Sequence, residues 1–231
     1  MSAWSQRVDV ATKKLLVVFG EICLTVAALI FAFLAYQLWF TNVSADIKAS
    51  DMRRAIEAQL DLHAQSPEAD TEVYDIPQQP GEGLGLLYIP KLSDRVWGLP
   101  IVSGTADESL SLGVGHYSAT EFAGEEGNFA LAGHRATNGE PFANFERLAQ
   151  GDMVYIRTEQ GWFGYELFQD QKIPETAIWV LNDAPNGIAS GSKKLLTLTT
   201  CDPRWNSTQR WAWWGELTYE SSEPPRDFVK P

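Results

Sequence analysis

Three side chains near predicted strand ends have the chemistry of thiol-based acyl transfer: Cys201, His134 and Arg210. Cys201 ends the apolar run LLTLTTC, His134 follows an apolar run in LAGHR, and Arg210 begins the run RWAWWGELTY. Only a thiolate attacks a carbonyl efficiently, and a neighbouring imidazolium or guanidinium lowers the pKa of a thiol. His134 could protonate a leaving amine, and the guanidinium of Arg210 could stabilise an oxyanion. The pattern predicts a cysteine nucleophile with a histidine acid/base and an arginine partner.

The residues alone leave two alternatives open at this site. The only other cysteine, Cys23, lies in a predicted membrane helix, so a disulfide with Cys201 is not available. An unpaired extracytoplasmic thiol is either reactive or a buried, inert side chain. His116, in GVGHY, is a second candidate base, whereas His63 falls in a polar stretch away from any apolar run.

The N-terminal region predicts a membrane anchor. Residues 15–40 form a long apolar run that follows Lys13 and Lys14, and a bilayer core needs about 20 apolar helical residues. The preceding lysines predict a cytoplasmic tail over residues 1–14 and an extracellular remainder. A cleaved signal peptide is the alternative, since Val43-Ser44-Ala45 resembles a cleavage site, but the run exceeds the roughly 7–15 apolar residues of a signal peptide.

Residues 41–83 are predicted to form a stem and linker. Residues 44–64 have the composition of a polar helix, and residues 65–83 are acidic and rich in Pro and Gly. The folded domain is predicted over 84–221, followed by a disordered tail at 222–231. A net charge of −12 argues against binding to a nucleic-acid backbone, because the phosphates would be repelled.

Short apolar runs between turn signals predict an all-β domain, either a small closed barrel or a sandwich. We expect strands at 84–90, 97–102, 128–133, 152–158, 162–169, 177–181, 194–200 and 210–219. We also expect a short helix at 141–149, because Pro141 suits a first helical turn and Gly151 follows the end. Another short turn is expected at 106–112.

The same residues resemble the sortase family. The resemblance lies in LAGH at 131–134, TLTTC at 197–201 and Arg210 on the next strand. GHYSAT at 115–120 and GNFALAGHRATNGEPFANFERL at 127–148 are similar to class E sortases of actinobacteria. The Trp-rich segment WAWWGEL departs from the usual pattern of that class.

The resemblance implies a closed β-barrel of about eight strands with one or two short helices, preceded by an N-terminal transmembrane helix. It implies cleavage of a C-terminal LAXTG- or LPXTG-like sorting signal between Thr and Gly through a thioacyl enzyme. The partners would be secreted proteins that carry the signal and an amine of a peptidoglycan precursor. Tyr117 is carried over as the residue linked to the LAXTG preference, and Thr200 as a second substrate-binding residue.

The resemblance implies no metal and no other cofactor. Glu121, Glu125 and Glu126 could hold Ca²⁺ in principle, but a solvated acidic loop is the favoured interpretation. An L,D-transpeptidase also combines Cys, His and Arg, yet Cys201 lacks the flanking residues of that class. A membrane-tethered binding module is the alternative from another class, with Trp211, Trp213 and Trp214 holding a ligand. These tryptophans could equally alternate between the core and the face of a barrel strand.

Overall fold

The computed structural model describes residues 3–65, 79–188, 193–226 and 228–229. Most of the predicted linker, residues 66–78, lies outside this range. A long helix, α1, covers Ala3–Gln65. Within the described residues it contains one segment that is long and apolar enough to cross a membrane. The chain divides into two compact units, Met1–Thr41 and Asn42–Pro231.

Within the described residues, the second unit contains, besides the last part of α1, eight strands and one short helix. In chain order these are β1 Gly83–Tyr88, β2 Trp97–Ser103, α2 Asp107–Leu110, β3 Val114–His116, β4 Gly127–Ala132, β5 Met153–Thr158, β6 Gly161–Pro174, β7 Lys194–Asp202 and β8 Gln209–Ser221. Three short 3₁₀ turns lie at Pro90–Leu92, Phe145–Arg147 and Ile178–Leu181.

The strands close into a barrel in the order β1-β2-β3-β4-β7-β8-β6-β5, which confirms the expected eight-stranded barrel. Two neighbouring pairs, β2–β3 and β4–β7, are parallel, and the other pairs are antiparallel. A parallel pair requires a crossover connection. The hairpin β5–β6 lies within the crossover from β4 to β7, and this crossover brings two strands that are distant in the chain side by side.

Three local predictions were wrong. The run at 177–181 is a 3₁₀ turn, in which Val180 packs beside Trp214, and a short apolar run does not by itself distinguish a strand from a buried helical turn. The helix expected at 141–149 is only the 3₁₀ turn Phe145–Arg147. Strand β3 was not expected, because it has only three residues.

The barrel interior is filled by alternate residues of the strands. Leu196 and Leu198 of β7 point into the main core beside Phe129 and Leu131 of β4. The intervening Thr197 lies on the other face, where its hydroxyl donates to Asn128 Oδ1 at 2.7 Å. This period of two explains why LLTLTT forms a strand whose alternate faces carry apolar and hydroxyl side chains.

The last turns of α1 pack on the outside of the barrel. Ile56 and Leu60 are buried against Leu86, Tyr88 and Trp162. The compact unit therefore begins at Asn42, so the stem helix belongs to the folded domain, which was predicted to start only at residue 84.

The C-terminal segment also contacts this outer face. The Phe228 ring stacks on Trp97, with ring centroids 5.0 Å apart, and contacts Tyr88 and Trp162 edge-on at 4.9 and 4.6 Å. Phe228 thus packs on the barrel, although it lies within the predicted disordered tail over 222–231. The sequence offers no local signal for this contact, because the partner rings come from three other strands.

We expect Phe228→Ala to lower the free energy of unfolding of the second unit by about 1–3 kcal/mol. The cause is the loss of a half-buried aromatic side chain and its ring contacts. Chemical denaturation of the full chain in detergent, followed by tryptophan fluorescence, measures the change. Val229→Ala is the matched control: Val229 is 73% exposed, so its truncation should change stability by less than about 0.5 kcal/mol. Equal effects of the two substitutions would contradict the docking of Phe228.

Candidate active site

His134 and Cys201 lie at the same end of two neighbouring parallel strands. The β4–β7 register ends with Ala132 beside Thr199. Beyond it, the Gly133 N–H donates to the Thr199 carbonyl at 3.1 Å, and the Thr200 hydroxyl donates to the Gly133 carbonyl at 2.8 Å. The two segments therefore continue side by side beyond the paired strands, up to the residues that precede His134 and Cys201.

The residues that follow this pair are also joined. Arg135 Nη1 hydrogen-bonds to the Asp202 carboxylate and approaches the Cys201 carbonyl at 3.4 Å. His134 and Cys201 are thus bracketed by contacts on both sides, which fixes one beside the other. Cys201 is half-buried and has no disulfide, so the thiol is neither sealed in the core nor bonded.

Arg210 reaches the site from the strand on the opposite side of Cys201. Cys201 and Arg210 are direct partners in the antiparallel β7–β8 register, and directly opposed residues present their side chains to the same face. The guanidinium of Arg210 donates to the carbonyls of Ser207 and Gln209 at 3.1 and 3.0 Å and lies 3.6 Å from the Glu175 carboxylate. The three predicted residues therefore sit at the ends of three neighbouring strands of the barrel, with the thiol on the middle one.

A buried ion pair joins the two strand ends. Arg135 and Asp202 are 9% and 7% exposed at their side chains, and Asp202 also accepts a hydrogen bond from Lys172 of β6 at 3.0 Å. Burial raises the pKa of the Asp202 carboxyl, but hydrogen bonds from Lys172 and Arg135 outweigh burial and lower it below the ordinary value. The carboxylate is therefore ionised at neutral pH and holds both cations.

Trp211 completes this cluster. The cations of Arg135 and Lys172 lie 5.1 and 4.8 Å from the Trp211 ring centroid, within cation–π range. The indole N–H donates to Asp170 at 2.8 Å. One of the three tryptophans of WAWWGEL thus supports the Arg135–Asp202 pair.

The other two tryptophans of that segment pack elsewhere. Trp213 lies in the barrel interior, and Trp214 is fully buried outside the barrel, where it stacks on Trp179 at 6.2 Å. Trp211 and Trp213 lie on the face of β8 that meets the main core, and Trp214 lies on the opposite face, as expected for a strand. The three rings therefore form no common ligand platform.

The backbone and loop around His134 restrict its position. A methyl group on Gly133 would lie 2.6 Å from the Phe142 ring, so glycine allows this ring to pack against the turn. The Phe142 N–H donates to the His134 carbonyl at 3.0 Å. On the ring, Nε2 lies 3.2 Å from the Asn138 side-chain amide.

Burial lowers the pKa of His134, and the Asp107 carboxylate at the start of α2 partly offsets the shift. The imidazole is therefore neutral at neutral pH and able to accept a proton. The site residues predicted from the sequence do not include Asn138, Asp107, Arg135 or Asp202. Only the adjacency of Arg135 and Asp202 to the predicted pair could have drawn attention to them.

The alternative base, His116, is placed differently. It is 2% exposed, its Nε2 donates to the Glu121 carbonyl at 3.0 Å, and its ring packs on Phe122 and Phe129. Burial lowers the pKa of His116. Its ring nitrogen is committed to the β3–β4 connection, so His116 is a buried structural side chain.

Tyr117 and Thr200 differ in what their hydroxyls can contact. The Tyr117 hydroxyl lies 3.0 Å from Thr199 Oγ1, and Thr199 precedes Cys201 by two residues, about 7 Å along a strand. Tyr117 therefore borders the face that carries Cys201. Thr200 is 3% exposed and uses its hydroxyl to hold Gly133.

No group of three His, Cys, Asp or Glu suited to a metal ion occurs among the residues that the structure describes. Of the acidic residues considered for Ca²⁺, Glu125 accepts a hydrogen bond from the Phe122 N–H at 2.9 Å, and Glu126 lies 3.9 Å from Lys193. Glu125 thus has its partner within the β3–β4 connection, and Glu126 lies near a lysine that directly precedes β7.

Known proteins resemble this chain in sequence and in fold. A family model described as a sortase domain matches residues 87–218. Sortase SrtE2 of Streptomyces coelicolor is 31% identical over 217 residues, which cover 87% of this chain and 81% of the relative. The chain belongs to the sortase family.

Two further comparisons agree with a class E-like sortase. Sortase SrtE1 of Streptomyces coelicolor is 34% identical over 221 residues, and the match covers 92% of this chain but only 59% of the length of the relative. The crystal structure of sortase E1 from Streptomyces coelicolor with a tripeptide in the active site superposes on this chain with a TM-score of 0.59 at 32% identity. That match covers 66% of this chain and all of the solved chain.

We expect Asp202→Asn to lower the free energy of unfolding by about 3 kcal/mol, because one partner of a buried ion pair is lost. Glu146→Gln is the matched control. Glu146 also binds Arg135, at 3.1 Å, but its side chain is 54% exposed, so its loss should cost less than about 1 kcal/mol. Urea denaturation of the full chain in detergent at pH 7 compares the two variants, and equal losses would show that the buried pair contributes no more than a surface pair.

The same pair predicts a pH dependence. Because folding lowers the pKa of Asp202, its stabilisation is complete above the unfolded value, about 3.9, and is lost as the pH falls through the folded value. Unfolding measured from pH 5 downward should therefore show a smaller stability loss in Asp202→Asn than in wild type. Identical acid profiles would contradict the prediction.

Proposed function

We propose that this chain is a membrane-anchored cysteine transpeptidase. It cleaves a C-terminal sorting signal of LAXTG or LPXTG type between Thr and Gly and joins the new carboxyl end to an amine of a peptidoglycan precursor. The observation that carries the proposal is the bracketed position of Cys201 between His134 and Arg210 at the ends of three neighbouring strands. Family membership supports the same reaction.

Acylation begins at Cys201. The sulfur forms a bond to the carbonyl carbon of the threonine while the thiol proton passes to His134, whose neutral ring can accept it. Arg210 carries a permanent positive charge on the same face as the thiol, and it stabilises the oxyanion of the tetrahedral intermediate. His134 then returns the proton to the glycine nitrogen as the C–N bond breaks, which leaves a thioester on Cys201.

Deacylation reverses the roles. The acceptor amine attacks the thioester carbonyl and forms a second tetrahedral intermediate. His134 takes the surplus proton from the amine, the C–S bond breaks, and a new amide bond is released. Cys201 regains its proton from His134, so the cycle consumes no cofactor.

The face beside Cys201 suits an extended peptide. In the strand register, Ala132 and Ala212 lie on either side of Thr199, so side chains next to the thiol along this face are small. Tyr117 borders the same face through its contact with Thr199. We assign Tyr117 the selection between Ala and Pro in the sorting signal, whereas the hydroxyl of Thr200 holds the strand end.

Membrane anchoring rests on the apolar part of α1. We propose that residues 15–40 cross the membrane with the N-terminus in the cytoplasm, because Lys13 and Lys14 precede the run. Retention of the helix is supported by Ala45, which is 4% exposed, and by the contacts of Asn42 with residues 139 and 140. Cleavage after Ala45 would remove both residues from the folded unit.

The decisive experiment is acyl transfer by the full chain in detergent with a fluorogenic LAXTG peptide and a small primary amine. We expect mass spectrometry of the intact wild-type protein to show a thioester adduct. We expect neither adduct nor peptide cleavage with Cys201→Ala. Cleavage by Cys201→Ala at the wild-type rate would refute the proposed nucleophile. Absence of any wild-type adduct with both LAXTG and LPXTG peptides would refute the proposed function.

The two histidines give a matched pair of variants. We expect His134→Ala to reduce adduct formation by about 10²–10⁴-fold, the usual size of a general acid–base contribution. His116→Gln should keep most of the activity, since its amide can still donate to the Glu121 carbonyl. The reverse order of effects would show that His116 is the acid/base.

Topology can be tested with a membrane-impermeant thiol reagent on intact cells that express the full chain. We expect alkylation of Cys201, which is half-buried outside the membrane, and none of Cys23, which lies within the apolar run. The Cys201→Ala variant is the control for the modified site. Labelling of wild type and of Cys201→Ala to the same extent would contradict an extracellular catalytic domain.

A further inference from the structure

The loop that follows His134 has an unusual backbone. Asn138, Gly139 and Glu140 all have positive φ, at 53°, 79° and 46°. Left-handed conformations are unfavourable for a non-glycine residue, and they persist only where the surroundings determine them. Glu140 is also 7% exposed. Strong local contacts must therefore hold this loop in place.

The stem helix supplies one set of those contacts. The Asn42 side chain donates to Glu140 Oε1 at 2.9 Å and accepts from the Gly139 N–H at 3.2 Å. Both polar ends of one amide are thus bonded to consecutive loop residues. Arg95 adds a hydrogen bond to the Gly139 carbonyl at 3.2 Å.

The connection after the nucleophile supplies the other set. Arg204, in the β7–β8 connection, binds the second carboxylate oxygen of Glu140. One buried carboxylate therefore joins the stem helix to the segment that follows Cys201. Because each oxygen has its own partner, removal of either partner would leave half of the carboxylate unsatisfied.

The constrained loop presents one polar group to the imidazole. The side-chain nitrogen of Asn138 lies 3.2 Å from His134 Nε2. An amide binds a ring nitrogen through its N–H or its carbonyl oxygen, and this contact at Nε2 leaves Nδ1 to exchange protons with the thiol and the leaving amine. A hydrogen bond to one ring nitrogen fixes both the tautomer and the orientation of a histidine.

We propose that Asn138 is a positioning residue that orients His134 for acyl transfer, and that Asn42 of the stem helix holds Asn138 in place through Gly139 and Glu140. The proposal rests on the proposed function. It makes the stem helix a part of the catalytic unit, in addition to its role as a connection to the anchor.

A simpler explanation is that Asn42 only docks the helix on the barrel, and the chain offers a matched control for it. Gln59, on the same helix, donates to Glu159 of the β5–β6 hairpin at 2.7 Å. This contact is also a side-chain amide on a barrel carboxylate, but it does not involve the loop of His134. Gln59→Ala therefore reports the effect of helix docking alone.

The first test compares Asn138→Ala, Asn42→Ala and Gln59→Ala in the full chain in detergent. We expect the first two variants to lower kcat by about ten-fold or more, because small misplacements of a catalytic group are costly, with KM changed less than about two-fold. Gln59→Ala should leave both constants near wild type. Equal kinetics for Asn42→Ala and Gln59→Ala, with active wild type, would overturn the inference and leave the proposed function standing. Inactive wild type would instead refute the proposed function.

The second test observes the ring directly. The chain has three histidines, so ¹⁵N-histidine labelling gives three ring systems, assigned with His134→Ala and His116→Gln. We expect His134 in wild type to show a single neutral tautomer, and exchange-averaged shifts in Asn138→Ala and Asn42→Ala. Unchanged His134 shifts in both variants would overturn the proposal, since a purely structural role predicts that result.

A third test distinguishes loss of the contact between Asn42 and Glu140 from a folding defect. Asn42→Asp places a carboxylate against Glu140 and should reduce kcat at least as much as Asn42→Ala. Adding Glu140→Gln supplies an amide that can donate to the carboxylate introduced at position 42 and accept from Arg204, so the double variant should recover most of the lost kcat. Failure of the second substitution to restore activity, with both variants folded by circular dichroism, would contradict the route through Glu140.

Discussion

The buried ion pair between Arg135 and Asp202 is the interaction on which the site depends. Each member follows directly after a proposed catalytic residue, so the pair fixes the relative position of two strand ends. A buried ion pair contributes little net stability compared with apolar packing, but it is costly to break. A register of β4 against β7 other than the observed one would separate these two buried charges and leave Asp202 with Lys172 alone and Arg135 with the exposed Glu146 alone. The pair therefore favours the observed alignment.

The barrel topology explains why such a pair is needed. His134 and Cys201 are brought together by a parallel pairing that spans the whole β5–β6 hairpin, and no local turn sets their register. Cys201 and Arg210, in contrast, belong to an antiparallel hairpin and are aligned by short-range pairing. Additional contacts support the long-range pairing of His134 with Cys201: Thr200 binds Gly133 before these two residues, and Arg135 binds Asp202 after them.

Residues further from the site hold these contacts in place. Trp211 lies beside both cations that bind Asp202, which accounts for one ring of the Trp-rich strand. On the other side, Glu140 joins Arg204 to Asn42 of the stem helix. The loop between His134 and Pro141 is thus held by elements that are far apart in the sequence, and its left-handed residues are a consequence of those contacts.

The sequence by itself determined the all-β domain, the apolar N-terminal helix and the candidates Cys201, His134 and Arg210, because strand periodicity and short motifs are local properties. It missed the three-residue strand β3 and misassigned 177–181, where pairing and packing with distant residues decide the conformation. Only the tertiary structure separated the surroundings of His134 from those of His116, since burial depends on neighbours from other strands. It alone also joined Arg135 to Asp202 and Asn42 to Glu140, because both contacts connect residues more than 60 positions apart.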